Sequence, residues 1–176
     1  MDFSNLHMTS GPLLSLLLFS PLLGIVALCF VPQDSEELAR KCSIASTLLS
    51  FGLSLVLLKN FDPNGGFQFR QRLARHPSLG ATFTLAVDGI SIWLIMLTTF
   101  LTVLVCVAST SVHGKLRAYL ACMLLLEVGM LGTFLALDGL TFYVFWELML
   151  IPMYFLIGVW GGARRIYAAI KFFIYT

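Results

Sequence analysis

Charge is what this sequence has least of: Asp, Glu, Lys and Arg together make up 11% of its 176 residues, against roughly 25% in soluble domains. With 59% apolar residues and a mean hydropathy of +0.92, that scarcity excludes a soluble domain. The basic residues form no tract and no patch interleaved with aromatics, so nucleic-acid binding is excluded too. CxxC spacing is absent. Cys29, Cys42, Cys106 and Cys122 are scattered in or beside apolar runs, where a thiol is a small packing group rather than part of a metal or disulfide framework. The N-terminal MDFSNLHMTSG holds no Lys or Arg, so it lacks the basic start of a cleavable signal peptide and the first apolar stretch reads as retained. There is no Walker loop, dinucleotide fingerprint, HExxH, haem CxxCH or nucleophile elbow. The chain is therefore expected to carry no redox centre, metal or cofactor.

What the sequence has is long apolar runs. A helix needs about 20 mostly apolar residues to cross roughly 30 Å of hydrocarbon. Without water to satisfy backbone groups such runs must be helical, and strands of a membrane barrel would not give continuous stretches this long. Five runs qualify, at residues 13–31, 43–58, 90–108, 119–137 and 141–160. The first contains Pro21 and stops at Pro32 and an acidic turn of Asp34, Glu36 and Glu37. A sixth begins at Ile166, but the remaining residues reach only about 16 Å at 1.5 Å each. Between the second and third runs lies the one long polar stretch, residues 61–87. It opens with the turn cluster DPNGG, alternates through Phe67, Gln68, Phe69 and Arg70, and ends in a strand-like run at 82–87; these read as a short surface hairpin. The expected fold class is an all-α membrane protein of five transmembrane helices and the start of a sixth, with that hairpin between helices two and three.

Short cytoplasmic loops retain Lys and Arg. Arg40, Lys41, Lys115, Arg117, Arg164 and Arg165 follow the odd-numbered spans, against Lys59, Arg70, Arg72 and Arg75 on the other side. The N-terminus is therefore expected outside.

An acidic side chain inside an apolar run costs a few kcal/mol on insertion scales and is a functional candidate by default. Glu127 sits about ten residues into the fourth run and Glu147 lies in FYVFWELMLIPMYF of the fifth. Each has two readings: a carboxyl kept neutral by burial that ties two helices together, or a group that loads and releases a proton. Pro152 removes the helical hydrogen bond to the carbonyl of Leu148 and is expected to kink the helix beside Glu147. Lys171 either snorkels to the interface or tunes the proton affinity of a carboxyl. Asp88 and Asp138, at helix starts, read as caps.

Residues 135–176, LALDGLTFYVFWELMLIPMYFLIGVWGGARRIYAAIKFFIYT, closely resemble the antiporter-like, proton-translocating membrane subunits of respiratory complex I of the chain M (chain 4) type. LAVDGIS at residues 85–91 resembles the same family where it enters its third helix, and residues 1–84 agree in layout. The resemblance implies a fold of fourteen membrane helices containing two inverted repeats, of which this chain holds an N-terminal portion: helices one to three with the hairpin at 1–114, and the start of the first repeat at 115–176. It implies that Glu147 is a central protonatable residue, that Lys171 matches the family's KFFIYT lysine, and that Glu127 stands where many relatives are acidic. The implied partners are the lipid bilayer and the other membrane subunits of complex I, with NADH, FMN, iron-sulfur clusters and quinone held elsewhere in the complex. The implied location is a bacterial-type inner membrane or equivalent energy-converting membrane. The later helices that would complete a half-channel have no counterpart, so the chain reads as a truncated product, a fragment of a longer chain or one part of a split subunit. Two other readings stay open: a subunit of a multi-subunit cation/proton antiporter, and a structural fragment that does not pump.

Overall fold

The structure, a computed structural model, describes residues 12–32, 35–76, 81–112 and 114–176. Asp34 of the acidic turn and the tip of the hairpin lie outside the described residues. The elements are α1 (Leu13–Phe30), α2 (Glu36–Lys59), β1 (Gln68–His76), β2 (Ala81–Val87), α3 (Ser91–Ala108), α4 (Leu116–Leu135), α5 (Gly139–Trp160) and α6 (Arg165–Tyr175). The first five helices are long and apolar enough to cross a membrane, and β1 and β2 pair antiparallel, so the expected fold class holds.

Two helices, α2 and α4, depart most from their expected bounds. α2 starts at Glu36, seven residues before the apolar run, because hydropathy marks where hydrocarbon begins and not where backbone bonding begins. Glu36 and Glu37 fall in its first turn and Lys59 in its last, each sign at the end of the helix dipole that favours it. α4 spans Leu116–Leu135 and stops short of Leu137, whose N–H donates to the Thr84 carbonyl of β2 at 3.0 Å. The hairpin thus takes the backbone that would have continued the helix.

The hairpin is longer than the alternation suggested, and bulges interrupt its register between Gln68 and Gln71 and between Arg72 and Ala74. It is more than a surface ornament. Leu85 and Val87 are fully buried in one cluster with Leu14, Leu57, Ile92 and Leu131. The N–H and hydroxyl of Ser15 donate to Gln71 Oε1 at 3.1 and 2.7 Å. β2 therefore plugs one end of the bundle.

α4 packs against α1, α2, α3 and α5. α1 runs through Pro21, and the Leu17 carbonyl that this proline leaves without its helical donor accepts the Ser20 hydroxyl at 2.8 Å, a local repair that lets proline sit in a membrane helix. The inner face of α2 is polar: Ser43, Ser46, Thr47, Ser50 and Ser54 are all buried. Small hydroxyl residues let backbones approach closely where lipid offers no hydrophobic drive between helices. Three contacts tie the other end together. Arg117 Nη1 donates to the Val31 carbonyl at 2.7 Å, Arg40 Nη2 to that of Ser109 at 3.4 Å, and Trp160 Nε1 to that of Gly114 at 3.2 Å. The three odd-numbered loops, with their six basic residues, therefore share one end of the bundle.

Candidate functional site

Glu127 lies halfway along α4 with no exposed surface. Leu120, Leu124 and Leu131 share its side of the helix and are also fully buried, as spacings of three and four residues require. Neither carboxyl oxygen has a hydrogen-bond partner. Ser50 is close enough to interact, but its hydroxyl donates to the Ser46 carbonyl at 3.2 Å and also meets Ser20 Oγ at 2.8 Å. An unpaired buried polar group costs about 1–3 kcal/mol, so this carboxyl is held where protonation or water would relieve it.

The opposite side of α4 carries Gly129 and Gly132. A Cβ on Gly129 would run into the Met149 side chain and one on Gly132 into the Phe145 ring, so these glycines seat α5. Phe145 and Met149, four residues apart, share the inward face of α5. Glu147 is two residues from each and so lies about 200° round the helix from Phe145, pointing away from α4. It is half-buried, flanked by the exposed Tyr143, Val144, Trp146 and Ile151. Tyr143, one turn earlier, brings its phenol to the Glu147 carboxyl.

Pro152 is buried on the inward face with Phe145, and α5 runs continuously through it to Trp160. Lys171 is exposed on α6, its ammonium 5.9 Å from the Tyr167 ring and 5.7 Å from that of Tyr175, within range of a cation–π attraction. The three candidates are therefore not gathered within this chain: Glu127 faces the α1–α3 side, Glu147 the outer face of α5, and Lys171 its own pair of tyrosines. Among the described residues no three His, Cys, Asp or Glu side chains are placed to hold a metal ion. The sequence reading missed the buried hydroxyls of α2. The signal was there in the three- and four-residue spacing of Ser43, Ser46, Thr47, Ser50 and Ser54.

Asp138 and Asp88 are caps, as expected. Asp138 Oδ1 accepts from Leu140 N at 2.9 Å and Thr141 N at 3.1 Å, and Oδ2 accepts from Thr141 Oγ1 at 2.5 Å. Asp88 Oδ1 accepts from Ser91 N at 2.6 Å. Burial pushes the Asp138 carboxyl up, but its bonds to Thr141 and Leu140 outweigh this and hold it below the usual carboxylate range. A depressed folded value means that the cap stabilises at pH above the unfolded carboxylate range, and that this is lost as pH falls through the folded value. Asp138→Ala is expected to lower stability by about 1 kcal/mol, read as a lower thermal midpoint in detergent at neutral pH. A difference that persists undiminished in acid would show that the cap is not its cause.

Residues 136–176 match the family described as "NADH:quinone oxidoreductase/Mrp antiporter, TM". The chain is 43% identical to NADH-quinone oxidoreductase subunit M of Rhodobacter capsulatus, over 93% of its own length and 33% of the relative's. It is 40% identical to NADH-ubiquinone oxidoreductase chain 4 of Arabidopsis thaliana, over 93% of the chain and 34% of that protein. Among solved structures, respiratory complex I from Thermus thermophilus with bound NADH superposes with a TM-score of 0.77 at 26% identity, covering 92% of this chain and 32% of the other. The membrane-bound sulfane sulfur reductase, an archaeal respiratory membrane complex, shares the fold with a TM-score of 0.76 at 22% identity, covering 92% of this chain and 25% of the other. The resemblance read from residues 85–91 and 135–176 thus holds and extends over nearly the whole chain, which spans about a third of the length of the curated relatives it matches.

Proposed function

We propose that this chain supplies the N-terminal part of a proton-translocating, chain M-type membrane subunit of an NADH:quinone oxidoreductase. Its part is to bind and release protons at intramembrane carboxyls while partner subunits transfer electrons from NADH through FMN and iron-sulfur clusters to quinone. Residues 1–114 provide three helices and the plugging hairpin, and residues 115–176 begin the first antiporter-like repeat. The observation that carries this reading is the pair of carboxyls on consecutive membrane helices, Glu127 and Glu147, in a chain 38–43% identical to subunit M proteins.

Glu147 is the proposed proton-carrying group of α5, since a carboxyl at membrane depth changes its proton affinity when a nearby charge moves. Its phenol neighbour Tyr143 orients it, and Lys171 is the cation of this segment that would tune it once further helices bring the two together. Six basic residues at one end of the bundle against four at the other support a cytoplasmic basic end and an external N-terminus. The membrane is then the inner or another energy-converting one, and the partners are the other membrane subunits.

A cation/proton antiporter subunit is the second reading, favoured by the antiporter named in the matching family. Isolation of the native complex through a tag on this chain separates the two. Co-purifying flavin and iron-sulfur proteins, with NADH-driven acidification of reconstituted vesicles, are expected. A flavin-free complex that exchanges sodium for protons would replace the first reading with the second.

A further inference from the structure

Among the described residues the buried side-chain polar atoms without a partner are three: both carboxyl oxygens of Glu127, and Nε of Arg40. They mark the two ends of one seam. Arg40 lies in the second turn of α2 at the basic end of the bundle and reaches the Ser109 carbonyl just beyond α3, whereas Glu127 lies halfway along α4. Between them, α2 contributes Ser43 and Thr47 and the α3 side contributes Ser109 and Cys106, all buried. Cys106 lies beside Thr47 and within electrostatic reach of Glu127.

We propose that the seam between α2, α3 and α4 is a water-filled proton path leading from the basic end of the bundle to Glu127, separate from whatever route serves Glu147. The chemistry of the lining supports it. Ser43 donates to the Ala39 carbonyl at 3.0 Å, Thr47 to that of Ile44 at 3.1 Å and Ser109 to that of Cys106 at 2.6 Å. With their protons committed to backbone, these hydroxyl oxygens keep free lone pairs that accept from water and so favour a positively charged chain of it. Buried water characteristically serves groups such as Arg40 Nε and the Glu127 carboxyl, which the protein leaves unsatisfied.

From the basic end the path runs beside a second apolar cluster, that of Leu116, Leu120 and Leu124 with Cys106. Toward the hairpin the hydroxyl oxygens meet one another directly, Ser20 with Ser50 at 2.8 Å and Ser54 with Thr99 at 3.0 Å, while each also donates to a carbonyl of its own helix. Beyond them lies the closed apolar cluster of Leu14, Leu17, Leu57 and Leu131 under Leu85. Cys106 of α3 is within electrostatic reach of Glu127 and of Tyr119 on α4; α2 adds Arg40 at the basic end and the Ser50 hydroxyl near Glu127, α1 adds Ser20 beside Ser50, and α5 presents Phe145 and Met149 to the other side of α4. In the transfer itself, a hydronium in the seam gives its proton to a Glu127 carboxylate oxygen, leaving one water and a neutral carboxylic acid, and the reverse step restores both.

This inference rests on the reading of the chain as proton-carrying and extends it to a second carboxyl. Its test is the rate at which the Glu127 carboxylic proton exchanges for deuterium, followed by its infrared carbonyl band in the reconstituted native complex at rest, with Glu127→Gln identifying the band. Thr47→Val is expected to slow exchange by about tenfold, the scale of one lost hydrogen-bonding group. Thr47→Ser is expected to restore the rate and Ser54→Ala to leave it unchanged. Equal rates in wild type and Thr47→Val would overturn the path. Should Thr47→Val fail to assemble, a variant with alanine at Cys29, Cys42 and Cys122 decides: a small cationic thiol reagent must modify Cys106 from the basic side only, and reaction from the hairpin side, or none, refutes the proposal. Exchange is read without turnover, so a complex that pumps normally with Glu147→Gln would remove Glu147 from its proposed role without altering this outcome.

Discussion

Glu147→Gln in the complete subunit is expected to cut proton translocation per electron by about tenfold or more, the scale of removing one positioned proton-transfer group, while the subunit still assembles. Glutamine keeps the size and hydrogen-bonding shape of the side chain and removes only its ability to ionise. Position argues for a selective effect. Glu147 lies on the outer face of α5, away from the contact with α4, so its replacement leaves the Phe145–Gly132 and Met149–Gly129 seats untouched. A carboxyl that merely tied two helices together would behave differently, because glutamine would preserve the tie and translocation would stay near wild type. The measurement is vesicle acidification against quinone reduction in the same preparation, with assembly checked by the yield of intact complex. Normal acidification with normal assembly would take Glu147 out of the relay. Glu127→Gln is expected to reduce translocation less, and a larger loss there would make the buried centre of the bundle the principal site.

Helix number, order and the hairpin were legible because each depends on a property that single residues carry: hydrocarbon length for the spans, turn residues and alternation for β1 and β2. α1, α3 and α5 start and end within two residues of their apolar runs. Facing was not legible by the same route. These helices are apolar all round, so periodicity does not say which side is inward, and the sequence left open whether Glu147 ties two helices together or exchanges a proton without saying which way it faces. The information lay in the small residues instead. Gly129 and Gly132 fix the α5 face of α4 and thereby put Glu127 on the far side and Glu147 outward, while the α2 hydroxyls mark the face that meets α1, α3 and α4. The start of α2 was missed for a related reason: Glu36 and Glu37 look like a break to a hydropathy reading but are favourable first-turn residues of a helix that rises out of the membrane.

If those glycines set the geometry, Gly132→Leu is the substitution with the largest expected effect on stability. The new side chain would enter the space of the Phe145 ring, whose centroid lies 5.9 Å from that of Phe83 in β2, the two rings tilted by 55°. α5 could not be pushed away without also lifting β2 from the end of α4. Overpacking of this kind costs about 3 kcal/mol, at the upper end of its usual range, and should lower the thermal midpoint of the subunit in detergent. Gly52→Ala is the matched control: no atom lies within 4 Å of a Cβ there, so alanine should be neutral or add about 0.5–1 kcal/mol through helix propensity. Because the clash is with one ring, Phe145→Ala combined with Gly132→Leu should recover part of the loss, a non-additivity expected only of side chains in direct contact. Strictly additive effects, or a Gly132→Leu protein as stable as wild type, would mean that α4 and α5 are not seated through this glycine, and the outward placement of Glu147 would lose its structural basis.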